Sequence, residues 1–288
     1  MKLDNVLAGY TPGLRGKDGL TLAMLLTGQA HAHLTVAIIQ PPARATPGPA
    51  RAEQSAWRAY LKEQAEATLT QARELAGPEA DYWIHTHPGS GRGLVELARK
   101  READVVVIGS AAGRGRGRIS VGSTADQLLH SSSVPVLLAP RGYGDQPPAA
   151  VDRITVAYRR SPGCDAALRD AAVVAVRLGV PLRLVTLVVR KTRRARIEEE
   201  MLAGLREQAT ADLGAAAQGQ PEQLSVEAEL LEGRNVTQAL GATSWLPGEM
   251  IICASSDTGP LRRVFLGDTS LKIVRASTCP VMMLPRRP

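Results

Sequence analysis

The chain has 288 residues, 44% hydrophobic and 22% charged, which excludes a disordered or fibrous polymer and leaves room for two packed domains. Its net charge of +7 admits anionic partners, but no basic segment is interleaved with aromatic residues, so nucleic acid is not an expected partner. Cys164, Cys253 and Cys279 form no CxxC pair, MKLDNVLAGY has no apolar leader, and no apolar run approaches the ~18 residues of a membrane span, so the expected setting is cytoplasmic, without a membrane.

The first strand is VLAGY (6–10). A helix follows over 17–31, with Leu22, Leu25, Leu26 and Gln29 on one face. LTVAII (34–39) is a second strand without polar alternation. After the Pro-rich QPPARATPGPA comes a long helix whose face holds Trp57, Leu61, Thr68, Ala72 and Leu75. DYWIH (81–85) is a third strand, Leu94 to Lys100 a short helix, and VVVIG the fourth strand. A glycine-rich loop, a helix from Ser123 and the strand VPVLLA complete the unit. Continuously apolar strands separated by helices predict an α/β fold, a parallel sheet covered on both faces.

The chain then repeats itself. VPVLLAP (134–140) recurs as CPVMMLP (279–285), and VVVIGS (105–110) as MIICAS (250–255), both 145 positions later. VGSTADQLL (121–129) recurs as LGDTSLKIV (266–274), and VLAGY as ITVAY (154–158). Matches in one order at nearly one spacing predict a duplicated domain. The second half has strands near 154–158, 182–189, 225–230, 250–253 and 280–284 and a long helix around 195–217. RGYGDQPPAA (141–150) reads as the linker.

The stretch GSAAGRGRGRISVGST (109–124) joins a strand to a helix N-terminus. Ligands of open α/β sheets lie beyond the carboxyl ends of the strands, and a helix N-terminus offers unpaired amides to a phosphate. Gly122 allows close approach, Ser123 and Thr124 supply hydroxyls, and Arg114, Arg116 and Arg118 can screen phosphate charge. The loop is neither a P-loop nor a dinucleotide fingerprint. Alone, it also fits a surface loop that binds nothing.

The order of elements, the pattern Gly109-x2-Ala112-x9-Gly122-Ser123-Thr124 and the closing strand VPVLLAP resemble a universal stress protein, twice over nearly the whole chain. The resemblance implies a tandem member with two Rossmann-like, adenine-nucleotide-hydrolase-like domains, 1–144 and 145–288, each a five-stranded, mainly parallel sheet. It implies an intrachain pseudo-dimer through the last strands, with a homodimer and an unidentified protein partner left open. It implies ATP or another adenine nucleotide in the first domain, with or without Mg²⁺, in a stress-response role not defined by a catalysed reaction. The residues carried over are Tyr10 and Thr11 after the first strand and Ile38, which would pack on adenine. Gly109, Ser110, Ala112, Gly113 and Arg114 follow in the loop, then Gly122, Ser123 and Thr124. The family pattern is G-x2-G-x9-G-[ST]: Ala112 replaces its second glycine, and Thr11 stands where an Asp is common. In the second half Ala254 and Asp257 replace the first two glycines, Gly267 remains, Asp268 replaces the serine and Arg159 matches Thr11. Carboxylates there repel a polyphosphate, so the second site is expected to be silent unless a cation bridges it.

His85 and His87, and likewise His31 and His33, have the spacing of one strand face but no further ligand, so no metal site is expected. Cys253 and Cys279 are expected in the core, and KTRRARIEEE (191–200) as a solvated helix start. No carboxylate or glutamine stands where it would activate water for a slow ATPase, so no enzyme is expected. The alternative to a nucleotide binder is a nucleotide-independent interaction protein.

Overall fold

The computed structural model describes residues 1–42, 51–113, 115–189, 196–255 and 268–285. The first half runs β1 (Asn5–Gly9), α1 (Leu14–Ala30), β2 (His33–Gln40), α2 (Arg51–Ala76), β3 (Asp81–Thr86), α3 (Ser90–Lys100), β4 (Val105–Gly109), α4 (Ser123–Ser131) and β5 (Val136–Ala139). The second runs β6 (Arg153–Ala157), α5 (Pro162–Leu178), β7 (Leu182–Val189), α6 (Arg196–Gln218), β8 (Val226–Gly233), α7 (Val236–Leu240), β9 (Glu249–Ala254), α8 (Asp268–Ala276) and β10 (Val281–Leu284).

The strands form one ten-stranded sheet in the order β3-β2-β1-β4-β5-β10-β9-β6-β7-β8. Each half is parallel, and the halves meet through their last strands. There Val281, Met282 and Met283 pair antiparallel with Leu138, Leu137 and Val136. β4, β5 and β10 are buried along their whole length, which is why their sequences do not alternate. β3, at one edge, leaves Trp83 and Ile84 exposed, and the Arg101 guanidinium lies over Trp83 at 4.1 Å.

One apolar layer lies under α1, α2 and α5 and includes Leu26, Leu137 and Ile154 from both halves. The other lies under α3, α4, α7 and α8 and includes Leu94, Leu128 and Ile273. On α2 the buried stripe is Ala65, Thr68, Leu69 and Ala72, while Trp57 and Leu75 are exposed. The apolar face is therefore narrower than expected, and Trp57 stacks on Tyr60 instead. The sequence reading passes over α7. Its signal was present in Arg-Asn-Val-Thr-Gln: Asn235 Oδ1 caps the helix, accepting from the Gln238 amide at 2.9 Å, and Gln238 Oε1 reaches back to the Arg234 amide, just before the cap, at 2.9 Å.

The segment 141–150 is a docked turn. The buried Asp18 carboxylate accepts from the amides of Gly142 and Gly144, both at 2.8 Å. Gly142 has φ +83°, a backbone that favours glycine. Gln29 holds the next residues, donating to the Leu178 and Val151 carbonyls at 3.0 and 3.1 Å and accepting from the Val151 amide at 2.8 Å.

At the amino ends of β6, β7 and β9 the second half buries an ionic cluster. Glu249 takes Arg183 at 2.6 Å and Arg153 at 2.9 Å, with a hydrogen bond from Thr155 and one from the Leu246 amide at 3.0 Å. Arg183 also contacts Glu229 at 3.2 Å and lies 4.5 Å from the Trp245 ring centroid. Burial pushes the Glu249 pKa up, but the Arg153, Thr155 and Leu246 hydrogen bonds and the Arg183 charge together outweigh it, so the pKa lies below the ordinary value. A carboxyl depressed in the folded state stabilises above its unfolded pKa, and that contribution is lost as pH falls through the folded value. Glu249→Gln removes the buried carboxylate that Arg153 and Arg183 share, leaves them only the outer Glu227 and Glu229, and should lower stability at pH 7 by about 3 kcal/mol. Urea unfolding at pH 7 and in the acid range is the check. The gap from the unaltered chain should shrink on acidification; a constant gap would mean that the carboxylate charge is not what stabilises the cluster.

Candidate functional site

The carboxyl ends of β1, β2 and β4 meet the first turns of α1, α3 and α4 around a narrow pocket. It is bordered by Thr11, Arg15, Ile39, Ser90, Leu94 and Thr124, with Gly9, Tyr10, Ala37 and Ile108 completing it. It holds about 30 Å³ of solvent space within a wider indentation of about 350 Å³ that opens to the surface.

Two backbone approaches shape it. A Cβ on Gly16 would lie 1.7 Å from the Thr11 carbonyl oxygen, and one on Gly109 would lie 2.0 Å from that of Arg15. Glycine at both places lets the start of α1 rest on the ends of β1 and β4. Gly109 thus serves packing against α1.

The loop after β4 is pinched at its base. Ser110 is buried; its amide donates to the Ala139 carbonyl at 3.0 Å, and its Oγ accepts from the Ser120 amide at 2.7 Å. The Ala111 amide bonds the Ser120 carbonyl at 3.0 Å. Among the described residues the non-glycines with positive φ are His31 and Glu102, so Ala112 sits in an ordinary conformation. The demand falls on Gly113, with φ +125°. Ala112 is therefore tolerated without strain.

Two of the three arginines expected to screen a phosphate point elsewhere. Arg116 is bonded to Asp145, which also takes Lys17 at 3.1 Å. Arg118 donates to the Ala276 carbonyl at the end of α8 in the second half. Arg114 lies outside the described residues. The nearest carbonyl and carboxylate partners lie on the docked turn and on α8, which sequence spacing cannot reveal. Ile38 is also displaced: its side chain is buried in the layer under α1 and α2, and its neighbours Ala37 and Ile39 border the pocket. The period of two along a strand accounts for this. Tyr10 borders the pocket but belongs to the same buried layer as Ile38, and burial, then Glu74, pushes its phenol above the ordinary value.

Gly122 caps α4 with extended backbone, and a Cβ there would lie 2.7 Å from the Ala111 side chain. α4 has no side-chain cap, and neither does α1, which starts after Gly13. Among the described residues no hydrogen bond occupies the Ser123 and Thr124 amides or those of Leu14, Arg15 and Gly16. By contrast α3 is capped across space by Gln127, whose Oε1 accepts from the Gly91 amide at 3.1 Å.

The residue that sequence reasoning missed is Arg15. It stands in the first turn of α1, where the helix dipole disfavours a cation. It borders the pocket, burial lowers its pKa, and among the described residues no carboxylate pairs with it. A basic residue two positions past a glycine cap was the signal. The arrangement is one partly desolvated guanidinium on the same pocket as two uncapped helix starts, which suits an anion.

The second half differs at these positions. Gly163 stands 148 positions after Arg15, and Ser161 caps α5 with its own side chain, which accepts from the Cys164 amide at 3.2 Å. Tyr158 donates to Asp165 at 2.7 Å; burial, and then this bond, pushes its phenol up to about 12. Arg159 is exposed, and the Ala254 carbonyl accepts from Ser270 at 3.0 Å. Asp257, Gly267 and the Asp268 side chain lie outside the described residues.

His85 contacts Glu96 at 3.2 Å, and His87 accepts from the Gly89 amide at 2.9 Å. Among the described residues no three His, Cys, Asp or Glu side chains gather as a metal site. His31 ends α1 in the left-handed region, so it does not alternate with His33 on a strand. Cys253 and Cys279 are buried, and burial pushes both thiols up to about 12. Among the described residues no helix is long and apolar enough to cross a membrane.

The sequence matches the model of the Universal stress protein family twice, at residues 3–140 and 150–285. Universal stress proteins of Mycobacterium bovis and Mycobacterium tuberculosis are 35% identical to it over 97% of this chain and 99% of theirs. A universal stress protein crystal structure from Archaeoglobus fulgidus has the same fold with a TM-score of 0.64, at 19% identity over 99% of both chains.

The loop geometry separates two neighbouring substitutions. Ala112→Gly should change stability by less than about 1 kcal/mol, whereas Gly113→Ala, forced to positive φ, should cost about 1–3 kcal/mol. Thermal unfolding of both variants is the measurement. Equal losses would refute the assignment of strain to Gly113.

Proposed function

The chain belongs to the universal stress protein family, and from that premise we propose that its first half binds an adenine nucleotide as a regulatory ligand and is not an enzyme. The observation that carries this reading is Arg15, a partly buried guanidinium with no carboxylate partner among the described residues, beside the unbonded amides that open α1 and α4. A phosphate would neutralise the guanidinium and bond those amides at once. Arg15, Ser123 and Thr124 would hold the phosphate end. Thr11, Ala37 and Ile39 would border the nucleoside. Leu94 and Thr124 narrow the pocket, so the base enters only when side chains shift.

The second half is read as silent. Gly163 removes the cation, and Ser161 occupies an amide that Gly13 leaves open. The narrowness of the first pocket favours one other reading, an interaction protein that works without nucleotide.

Calorimetric titration of ATP, with and without Mg²⁺, separates these. One site per chain is expected, and Arg15→Gln should weaken it about tenfold or more, the worth of a hydrogen bond to a charged group. Gly122→Asp should abolish it, but it also displaces Ala111, so Arg15→Gln is the cleaner variant. Two sites would show that the second half binds as well. No binding at millimolar ATP would establish the nucleotide-independent reading.

A further inference from the structure

A second cleft opens where the halves meet, away from the pocket of the first half. It offers about 430 Å³. Sites for small organic ligands occur at domain junctions and have this size. One wall is Arg116 and Gly117 of the glycine loop with Arg141 and Tyr143 of the docked turn. The facing wall is Trp245, Leu246 and Pro247, and Cys279 and Pro280 close it.

Both walls are fixed. The Gly117 amide bonds the Arg141 carbonyl at 2.8 Å, and the Arg141 amide bonds that of Arg118 at 3.0 Å. The Arg116 guanidinium rests on Gly142, where a Cβ would come within 3.2 Å of it. Trp245 is held by its Nε1–H on the Leu240 carbonyl at 2.7 Å and by Arg183. Its one donor is thereby used, so its ring offers the cleft apolar surface only.

No carboxylate is among the residues that border the cleft, whereas two arginines are. Arg116 does bond Asp145, but the Arg116 side chain is 66% exposed, and Lys17 is a second cation for the same carboxylate. A pair whose guanidinium stands in solvent contributes little, and a guanidinium has five donors. Arg116 can take a second anion from the cleft. The Gly117 amide is occupied, and the single 3-10 turn that starts in the cleft, Tyr143–Asp145, has the amides of Gly142, Tyr143 and Gly144 already bonded to Asp18 and the Pro140 carbonyl, so a polyphosphate finds no cradle there. A cleft that offers an indole ring and prolines beside a guanidinium fits a small aromatic monoanion.

We propose that this cleft is a second ligand site, for a small aromatic carboxylate whose ring lies between Trp245 and the proline-rich turn and whose carboxylate meets Arg116. The site is independent of nucleotide in the first half. The chain has three tryptophans, and Trp57→Phe with Trp83→Phe, both at exposed rings, leaves Trp245 as the reporter. The probe is 4-nitrobenzoate, which quenches indole fluorescence. Saturable quenching with one site per chain is expected, unchanged by millimolar ATP. Arg116→Gln and the uncharged 4-nitrobenzamide should each bind about tenfold more weakly. The absence of saturable quenching at millimolar probe overturns the proposal. So does equal affinity in Arg116→Gln, or displacement by ATP, which would put the probe in the pocket of the first half.

Discussion

The antiparallel pairing of β5 with β10 is the constraint on which the rest depends. It removes the edge that each five-stranded unit would otherwise expose and makes one sheet of two. It also sets direction. The carboxyl ends of the first unit's strands lie beside the amino ends of the second unit's. The glycine loop therefore reaches the second half at the end of α8, through Arg118, and borders Trp245 across the cleft. In a parallel seam the carboxyl ends of both units would lie side by side; here the first unit's glycine loop faces the second unit's amino-terminal edge.

Duplication left two copies free to diverge under that seam. The first kept glycines where α1 crosses the ends of β1 and β4, with uncapped helix starts and an arginine among them. The second has Cys164, Ala167 and Ala254 at the positions of Gly16, Gly19 and Gly109, and it caps α5 with Ser161. Side chains at those places do not permit the backbone contacts that glycine allows between α1 and the ends of β1 and β4. The second unit concentrates its buried charge at the opposite edge, in the cluster around Glu249, where its strands enter the sheet beside the junction cleft. One copy keeps an open polar end, and the other turns its polar groups inward.

Much of this was legible in the residues. Apolar runs without alternation gave the parallel sheet, and repeats at nearly constant spacing gave the duplication. What was not legible needed either strand parity or distant partners. Ile38 and Ile39 are equally apolar, and only the register decides which one meets the pocket. Arg118 reads as a phosphate ligand until its partner, Ala276, is known, and the two are 158 positions apart. The turn 141–150 looks free until Asp18, 124 positions before Gly142, is found to hold it. Arg15 was within reach of sequence reasoning, because a cation in the first turn of a helix opposes the dipole and needs a reason.

The glycine loop consequently has two faces with different duties. Ser110 and Ala111 bind its base, Gly122 leads into the open start of α4, and Arg116 and Gly117 turn away to form a wall of the junction cleft. The short bonds between Arg118, Arg141 and Gly117 make that outward part rigid with respect to the docked turn. The bonds at the base and those of the outward part hold the two faces separately, so occupation of one leaves the other as it is. A loop that only cradled phosphate would have no need of the bonds that tie Arg116 and Arg118 to the rest of the chain.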